Sequence, residues 1–395
     1  MLHHKNIKIL TYFNFFTDFK LYSPLAIIYF SKVTGSFALG MSIFSIVMIS
    51  SALFEIPTGV FSDKIGRKKT VIYGALSAVL CSIFYAIGQS FWILVIGALF
   101  EGLSRSFYSG NNDALLHDTL AESNNEHQYD EFLGKTSAMF QLALAISAIL
   151  GGFIAVWSFS LIMWLSVIPQ MICLLLAFKL IEPKIHSSAS GNIFKHLKDA
   201  FLNFTNNKKL RLLSLSSILG YAFGEASYQF QSAFYNMLWP VWAISLAKTL
   251  SNIGATASFH FSGRILKKIN GLKVLLIDNI SNRIINVIAL GFPSIFSPLL
   301  MSSTSIFYGI TTVVKSSLMQ KEFKNEQRAT MGSLNSFAGS IFFGIVAFCL
   351  GFTADKMSPA KALLILQLFQ LINLFVYWKL FKHDKENNIN VNLQK

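Results

Sequence analysis

Two carboxylic acids stand in stretches of sequence that are otherwise apolar. Asp18 and Glu225 each interrupt a long apolar run. A poorly solvated carboxylate binds a proton more tightly, so it can load and release a proton as the water around it changes. Both acids are therefore candidate proton carriers, and Glu225 is the first choice. The alternative for Asp18 is a fixed ion pair with Lys20, Arg105 or Arg283.

A second constellation pairs an acid with a base. Glu101 and Arg105 are four residues apart, which places them on one face of a helix and allows them to pair inside a membrane. They are candidates for proton coupling, and a structural ion pair is the alternative. Asp278 and Arg283 are five apart and share a face poorly, so we assign them no role.

Polar and aromatic residues recur at helical spacing beside the two candidate carriers. Asn14 and Tyr22 accompany Asp18, whereas the residues beside Glu225 are Tyr221, Tyr228, Gln229, Ser232 and Asn236. We interpret these as walls of a substrate cavity. Because the chain holds 38 Phe, 12 Tyr and 6 Trp, an amphiphilic or aromatic cargo is favoured over a sugar.

The elements that must position these residues are membrane helices. The chain has 395 residues, of which 53% are apolar and 13% charged, and a mean hydropathy of +0.53. Apolar runs of about 20 residues, enough to cross a bilayer, predict an all-α integral membrane protein with twelve spans. These are residues 9–31, 37–60, 70–89, 91–112, 136–157, 160–181, 211–235, 245–264, 272–291, 294–314, 329–351 and 360–380.

The charge pattern predicts the orientation. The net charge of +14 is concentrated in short loops between alternate spans, so it indicates topology and not nucleic-acid binding. Both termini are predicted to be cytoplasmic. The opposite face then keeps only Lys32, Lys248, Lys356 and Lys361, whereas Lys315 falls in a cytoplasmic segment. Composition is compatible with a bacterial inner or plasma membrane.

A long polar stretch divides the chain into two sets of six spans. The predicted domains are 1–181, a cytoplasmic linker at 182–210, 211–381, and a cytoplasmic tail at 382–395. Within the linker, residues 193–204 have the amphipathic spacing of a helix on the membrane surface, or of a simple tether.

A short basic loop lies between the second and third spans. Gly59, Asp63, Gly66, Arg67 and Lys68 match the signature loop of the major facilitator superfamily, Gly-x-x-x-Asp-x-x-Gly-Arg-Lys, and the chain resembles this family. A weaker copy occurs 204 residues later, with Gly263, Lys267, Asn270 and Lys273 at the positions of Gly59, Asp63, Gly66 and Lys69. The resemblance implies two pseudo-symmetric six-helix bundles.

The resemblance also implies that this loop acts as a cytoplasmic gate. Asp63 can accept from Arg67 one turn on, and could meet the positive end of the eleventh helix at Arg328. Arg67 would then bridge to Asp113 or Asp118. The alternative is an orientation signal without a gating role.

Two further elements carry partial resemblances. An arginine in the fourth helix, here Arg105, often serves proton coupling in this family, although Gly110 comes one residue late. Small residues in the fifth helix stand where drug antiporters carry a glycine-proline element that lacks its proline here: Ala143, Ser147, Ala148, Gly151 and Gly152. Packing against a neighbour such as the eighth helix is favoured over a mark of antiport.

These features predict a monomeric secondary transporter, and not an enzyme. It would need no cofactor or metal, because no nucleotide-binding motif or metal spacing is present and a proton gradient can supply the energy. Its partners would be a small-molecule substrate and the lipid bilayer. Proton-coupled efflux of a drug, metabolite or siderophore-like molecule is the leading hypothesis, proton-coupled nutrient uptake is the second, and a non-transporting sensor or scaffold is the third.

Overall fold

The described residues form helices joined by short turns. The computed structural model describes residues 2–109, 111–184, 204–205, 207–323 and 328–393, and these contain no strand. The predicted all-α class is confirmed. The α-helices are α1 (Leu2–Asp18), α2 (Ala26–Thr34), α3 (Phe37–Ile65), α4 (Arg67–Ile87), α5 (Phe91–Tyr108), α6 (Asn111–Ala121), α7 (Tyr129–Ala155), α8 (Phe159–Leu165), α9 (Val167–Lys179), α10 (Lys208–Tyr235), α11 (Val241–Leu266), α12 (Gly271–Gly291), α13 (Ser297–Ser303), α14 (Tyr308–Glu322), α15 (Arg328–Lys356) and α16 (Pro359–Leu393). Short 3-10 helices occupy Ser23–Leu25, Glu126–Gln128 and Thr304–Phe307.

Each of the twelve predicted spans coincides with one of these helices or with a consecutive group of them. Eight are long and apolar enough to cross a membrane: Phe37–Glu55, Arg67–Ile87, Phe91–Ala121, Glu131–Ala155, Phe159–Lys179, Gly271–Gly291, Met331–Lys356 and Pro359–Lys382. The other four are the first, seventh, eighth and tenth spans. The first and tenth are broken into shorter helices, and the seventh and eighth are unbroken helices diluted by serines.

The break in the first span has an identifiable cause. Pro24 lacks a backbone N–H, and α1 ends at Asp18 before a 3-10 turn begins at Ser23. The sixth span satisfies the exposed backbone: Ser166 Oγ accepts from the Leu21 N–H at 3.2 Å, and Gln170 Nε2 donates to the carbonyls of residues 16 and 17 at 3.2 Å each. The freed carbonyls are thus held by protein, which is how irregular backbone is tolerated at membrane depth.

The chain divides into two compact units. One comprises Met1–Ser190 with Pro240–Thr249, and its apolar core joins the first, third, fourth and sixth spans through residues such as Phe13, Val71 and Leu115. The other comprises Gly191–Trp239 with Leu250–Lys395. Its core joins the seventh, ninth, tenth and twelfth spans and contains Leu275 and Tyr377, both fully buried.

Bulky apolar side chains cover the outside of both units. Trp92, Trp157 and Phe292 are 72%, 78% and 80% exposed, which suits contact with lipid. The proposed surface helix at 193–204 lies outside the described residues except for its last position. The last helix, α16, continues from the twelfth span into the predicted tail as far as Leu393.

Candidate functional site

The first unit contains a cluster of charges around the largely buried Glu101 carboxylate, here called the N-terminal charge cluster: Lys20, Tyr85, Glu101 and Arg105. Lys20 Nζ lies 2.9 Å from Glu101 Oε1, and Arg105 Nη2 lies 3.4 Å from the same oxygen. The Tyr85 hydroxyl donates to Glu101 Oε2 at 3.0 Å. Both oxygens of the carboxylate are therefore occupied. The predicted pairing of Glu101 with Arg105 is confirmed, and the closer partner is Lys20.

Three structural elements bring this cluster together. Lys20 lies in the unwound segment between α1 and the first 3-10 turn, Tyr85 lies on α4, and Glu101 and Arg105 occupy one face of α5. The Glu101 side chain is only 12% exposed and that of Lys20 20%. The Arg105 side chain is 47% exposed, so the cluster is open on that side. A carboxylate as poorly hydrated as that of Glu101 is stable only when paired, so the ion network closes around Glu101.

Asp18 lies beside the cluster but is not locked into it. Its carboxylate interacts electrostatically with Lys20 and Arg105, yet within the described ranges it forms no ion pair within 4.0 Å. The proposed ion pair of Asp18 with Lys20 is wrong, because Lys20 is engaged by Glu101. Since α1 ends at Asp18, the predicted helical face joining it to Tyr22 is interrupted. Tyr22 is 4% exposed and packs edge-on to Tyr85.

In the second unit, Glu225 lies on a partly open face of α10. Its Oε1 accepts a hydrogen bond from Gln229 Nε2 at 2.7 Å, and it makes no ion pair with any residue that the structure describes. Tyr221 and Tyr228 are 40% and 37% exposed. Two other residues that were predicted to line the cavity differ from these tyrosines in burial or in position. Ser232 is 1% exposed, and Asn236 follows the last residue of α10.

A second buried group, here called the C-terminal polar cluster, contains Asp278, Arg283, Lys315, Gln367 and Gln370. Arg283 Nη1 donates to the side-chain oxygens of both glutamines, to Gln367 at 2.5 Å. Among charged groups, Lys315 acts most strongly on Asp278, and Arg283 is second. Lys315 directly follows the predicted end of the tenth span and occupies the middle of α14, and its ammonium lies 5.9 Å from the centre of the Tyr377 ring. Its cytoplasmic position stays a prediction.

The sequence interpretation missed this cluster, although a signal was present. Gln367, Gln370, Asn373 and Tyr377 follow one another at spacings of three, three and four in the twelfth span. That spacing places them on one helical stripe. All four are at most 7% exposed, so the stripe faces protein and not lipid.

The basic loop between the second and third spans is tied to the fourth span. Arg67 Nε lies 3.5 Å from Asp118 Oδ2, and Arg67 Nη1 donates to Ser62 Oγ at 2.9 Å. Asn111 closes this ring through bonds to Ser62 and to the Arg67 carbonyl. The predicted bridge from Arg67 to Asp118 is confirmed. Asp113, the other predicted partner, is an exposed residue of α6.

An acid that we did not predict also holds this loop. The Glu182 carboxylate accepts from the backbone N–H groups of Arg67 and Lys68 at 2.6 and 2.8 Å, at the N-terminus of α4. A carboxylate at a helix N-terminus is favourable because it meets unpaired donors and the positive end of the helix dipole. Gly66 adopts φ +96°, and a Cβ there would lie 2.7 Å from Glu182 Oε1.

Other predictions for this loop fall on residues whose side chains lie outside the description. These are the contact of Asp63 with Arg67 and its approach to the eleventh helix at Arg328, and the position of Gly110. In the weaker second copy of the loop, the Asn270 side chain caps α12 by accepting from the Leu272 N–H at 2.9 Å. Asn270 thus stands at the position of Gly66, and its neutral amide caps the helix where the Glu182 carboxylate does so in the first copy.

The small residues of the fifth span serve close packing. A Cβ at Gly152 would lie 2.6 Å from Ser245 Oγ on α11 and 3.0 Å from the Trp242 carbonyl, so the eighth span approaches here. This supports the packing interpretation. Lys248 follows three residues after Ser245, lies inside α11 as the predicted eighth span has it, and is 3% exposed.

The comparisons with known proteins agree on the family. The sequence model of the Major Facilitator Superfamily matches residues 9–347. An uncharacterized transporter of Buchnera aphidicola is 28% identical over 175 residues, 44% of this chain and 43% of that protein. The quinolone resistance protein NorA of Staphylococcus aureus is 24% identical over 353 residues, 84% of this chain and 88% of NorA.

A solved structure shares the fold. The crystal structure of the nucleoside transporter NupG superposes with a TM-score of 0.79 at 15% identity, covering 97% of this chain and 100% of that one. This similarity confirms the twelve-helix architecture predicted from the sequence.

Proposed function

Because the chain belongs to the Major Facilitator Superfamily, whose members are membrane transporters, we propose that it exports a small amphiphilic molecule in exchange for protons. The protein is a multi-pass membrane transporter of bacterial type. The proposal concerns the direction, the coupling ion and the cargo. It also includes monomeric function, independence of cofactors, and cytoplasmic termini, which the lysines and arginines of alternate loops favour.

The observation that carries the proposal is the environment of Glu225. This acid lies on a membrane helix, is held only by the neutral side chain of Gln229 within the described chain, and stands between two partly exposed tyrosines. A carboxylate without a fixed counter-charge is free to take up and lose a proton. Proton loading at Glu225 can therefore bias the transporter between its two access states.

The cargo is inferred from the same face and from a relative. Tyr221 and Tyr228 offer aromatic rings with one polar atom each, which suits a flat amphiphilic molecule. NorA is named for resistance to quinolones, which are flat aromatic compounds. Both points favour export of an aromatic amphiphile.

Proton-coupled uptake of a nutrient is the second candidate function. The fifth span lacks the proline of the antiporter element, and Gly152 is in close contact with Ser245. These residues therefore give no independent support for antiport, so import by the same coupling acid stays open.

The proposal is tested in everted membrane vesicles that carry an inside-acid pH gradient. Norfloxacin and ethidium are added as probes to vesicles containing the wild type, Glu225→Gln or Asp18→Asn. Asp355→Asn, which removes an exposed acid at the end of the eleventh span, is the matched control. We expect a probe to dissipate the gradient with the wild type and the control, and not with Glu225→Gln.

One outcome would count against export, and another against the assignment of Glu225. If no probe dissipates the gradient although the protein is folded and inserted, the antiport proposal fails and uptake is measured in right-side-out vesicles. If Glu225→Gln behaves as the wild type while Asp18→Asn is inactive, the proton carrier is Asp18 and the assignment of Glu225 is wrong.

A further inference from the structure

The second unit holds more charge inside its helices than the proposed function uses. It contains two cations, Arg283 and Lys315, and both act electrostatically on the acid Asp278. A charge inside a membrane helix is costly, so such groups are retained where they are paired or have a function. The question is which of these groups are fixed.

Arg283 is fixed by neutral acceptors. Its Nη1 donates to Gln367 and Gln370, which are 2% and 7% exposed and lie one turn apart on α16. These two bonds orient the guanidinium toward the twelfth span. Asp278 is therefore not required as the hydrogen-bond partner of Arg283, and its own hydrogen bond comes from the neutral side chain of Asn282.

Lys315 acts on Asp278 without being bound to it. Its charge favours the ionised form of that carboxylate, but the two form no ion pair within 4.0 Å in the described part of the chain. Its ammonium lies 5.9 Å from the centre of the Tyr377 ring. A Cβ at Gly220 would be 3.3 Å from this ammonium, so the glycine leaves space beside it on the seventh span.

The surroundings of the pair include polar atoms without partners. Arg283 Nε and Asn373 Oδ1 are buried and make no hydrogen bond to any described residue. A buried polar atom of this kind is stabilised by water, and a bound water can carry a proton. The charged groups that act on Asp278 are Arg283 on its own helix and Lys315 on α14. The titratable groups beside Lys315 are Tyr308 on α14 and Tyr377 on α16. The helix α13 contributes none.

We infer that Asp278 is a second proton-exchanging carboxylate, with Lys315 as a mobile counter-charge that approaches Asp278 when its proton leaves. The inference rests on the proposed proton coupling and extends it. Glu225 and Asp278 belong to the same unit, so one transport cycle would move two protons. Lys315 acts as a positioning residue, since it stabilises the ionised form of Asp278 without carrying the cargo.

The test measures protonation directly and needs no transported molecule. Purified protein in lipid is switched between acid and alkaline buffer, and infrared difference spectra record the carbonyl stretch of protonated carboxylic acids. The samples are wild type, Asp278→Asn, Glu225→Gln and the control Asp355→Asn. We expect one component of the band to vanish in Asp278→Asn and a different component to vanish in Glu225→Gln.

The outcomes separate this inference from the proposed function. If Asp278→Asn leaves the band unchanged, Asp278 is permanently ionised or permanently protonated and the inference is overturned. If Asp278→Asn removes a component of the band but Glu225→Gln removes none, the proposed role of Glu225 fails while that of Asp278 stands. Should Asp278→Asn fold poorly, the double variant Asp278→Asn/Lys315→Gln takes its place in the comparison, because it also removes the cation that is left without a counter-charge.

The role of Lys315 has its own readout. Lys315→Gln should change the pH at which the Asp278 component appears, and Lys315→Arg should restore it. Lys361→Gln, which removes an exposed cation from the start of the twelfth span, is the control. An unchanged midpoint in Lys315→Gln would remove Lys315 from the proposal, and failure of Lys315→Arg to restore it would show a structural role only.

Discussion

The polar groups inside the two units have different kinds of partner. In the first unit, Glu101 is held by Lys20 at 2.9 Å and by Arg105 at 3.4 Å, and the basic loop is closed by Asp118 and Glu182. The second unit has one ion pair among its described residues, Lys209 with Glu322 at 3.3 Å, where α10 begins and α14 ends, and the partners inside its spans are neutral. Amides from Gln229, Asn282, Gln367 and Gln370 hold the charged side chains of the spans, and Asn270 caps the loop.

This difference indicates a division of labour. An ion pair inside a membrane fixes the protonation of both members, because losing either charge strands the other. An amide can donate to an ionised carboxylate and accept from a protonated one, so it tolerates both states. The pairing in the first unit thus suits charges that are kept, and on our proposal Glu225 and Asp278 of the second unit are the groups whose charge changes.

The largest effect should come from breaking the N-terminal charge cluster. We expect Glu101→Gln to lower the free energy of unfolding by about 3 kcal/mol, because it leaves the largely buried ammonium of Lys20 without its counter-charge. Thermal unfolding of the purified protein in detergent measures the change. Adding Lys20→Met to Glu101→Gln should recover most of the loss, and a single variant as stable as the wild type would refute the idea of a closed network.

The next effect separates function from stability in the second unit. Glu225→Gln should reduce proton-driven transport roughly 100-fold, as expected for loss of one proton-transfer group, and leave the unfolding temperature unchanged. Gradient dissipation in everted vesicles and thermal unfolding are measured on the same samples. A variant that loses stability as severely as Glu101→Gln would show that the two units do not differ in the proposed way.

A smaller effect is expected at the first basic loop. Glu182→Gln should destabilise the protein by about 1 kcal/mol, because an amide offers one acceptor atom where the carboxylate offers two charged oxygens to the start of α4. Chemical denaturation in detergent measures this difference. Glu126→Gln, an exposed acid in the same unit, is the control and should have no effect.

The smallest effect belongs to the second basic loop. Asn270→Gly should cost only a few tenths of a kcal/mol, whereas Asn270→Ala should cost about 1 kcal/mol, since glycine tolerates an N-cap position better than alanine. The same denaturation assay compares them. If the two variants were equally harmful, the Asn270 side chain would have a role beyond capping.

Much of this architecture could be predicted because membrane helices reveal themselves by length and apolar content. The twelve spans, the pairing of Glu101 with Arg105 and the bridge from Arg67 to Asp118 all followed from spacing or from the signature loop. What failed were contacts between distant segments. The ion pair of Lys20 with Glu101 depends on the helix break before Pro24. The hydrogen bonds of Glu182 to the basic loop depend on the chain returning to that loop after the sixth span.

The surroundings of Lys315 could not be derived from the sequence. The charge pattern assigned this residue to a cytoplasmic segment, because cations usually mark the ends of spans. In the structure its ammonium lies beside Gly220 of the seventh span, a contact between distant segments. A run of amides on the twelfth span at helical spacing was visible in the sequence, and it would have indicated that a buried charge needed partners nearby.

The broken first span also bears on how the protein enters the membrane during synthesis. Its two α-helices have 17 and 9 residues, and it contains Asp18 and Lys20, each of which adds about 3 kcal/mol to insertion of a helix by the translocon. The second span, Phe37–Glu55, has a mean hydropathy of 2.1 and can insert alone. The first span therefore has to wait for the second and enter with it as a helical hairpin, so a nascent chain released after Gly35 would stay outside the bilayer.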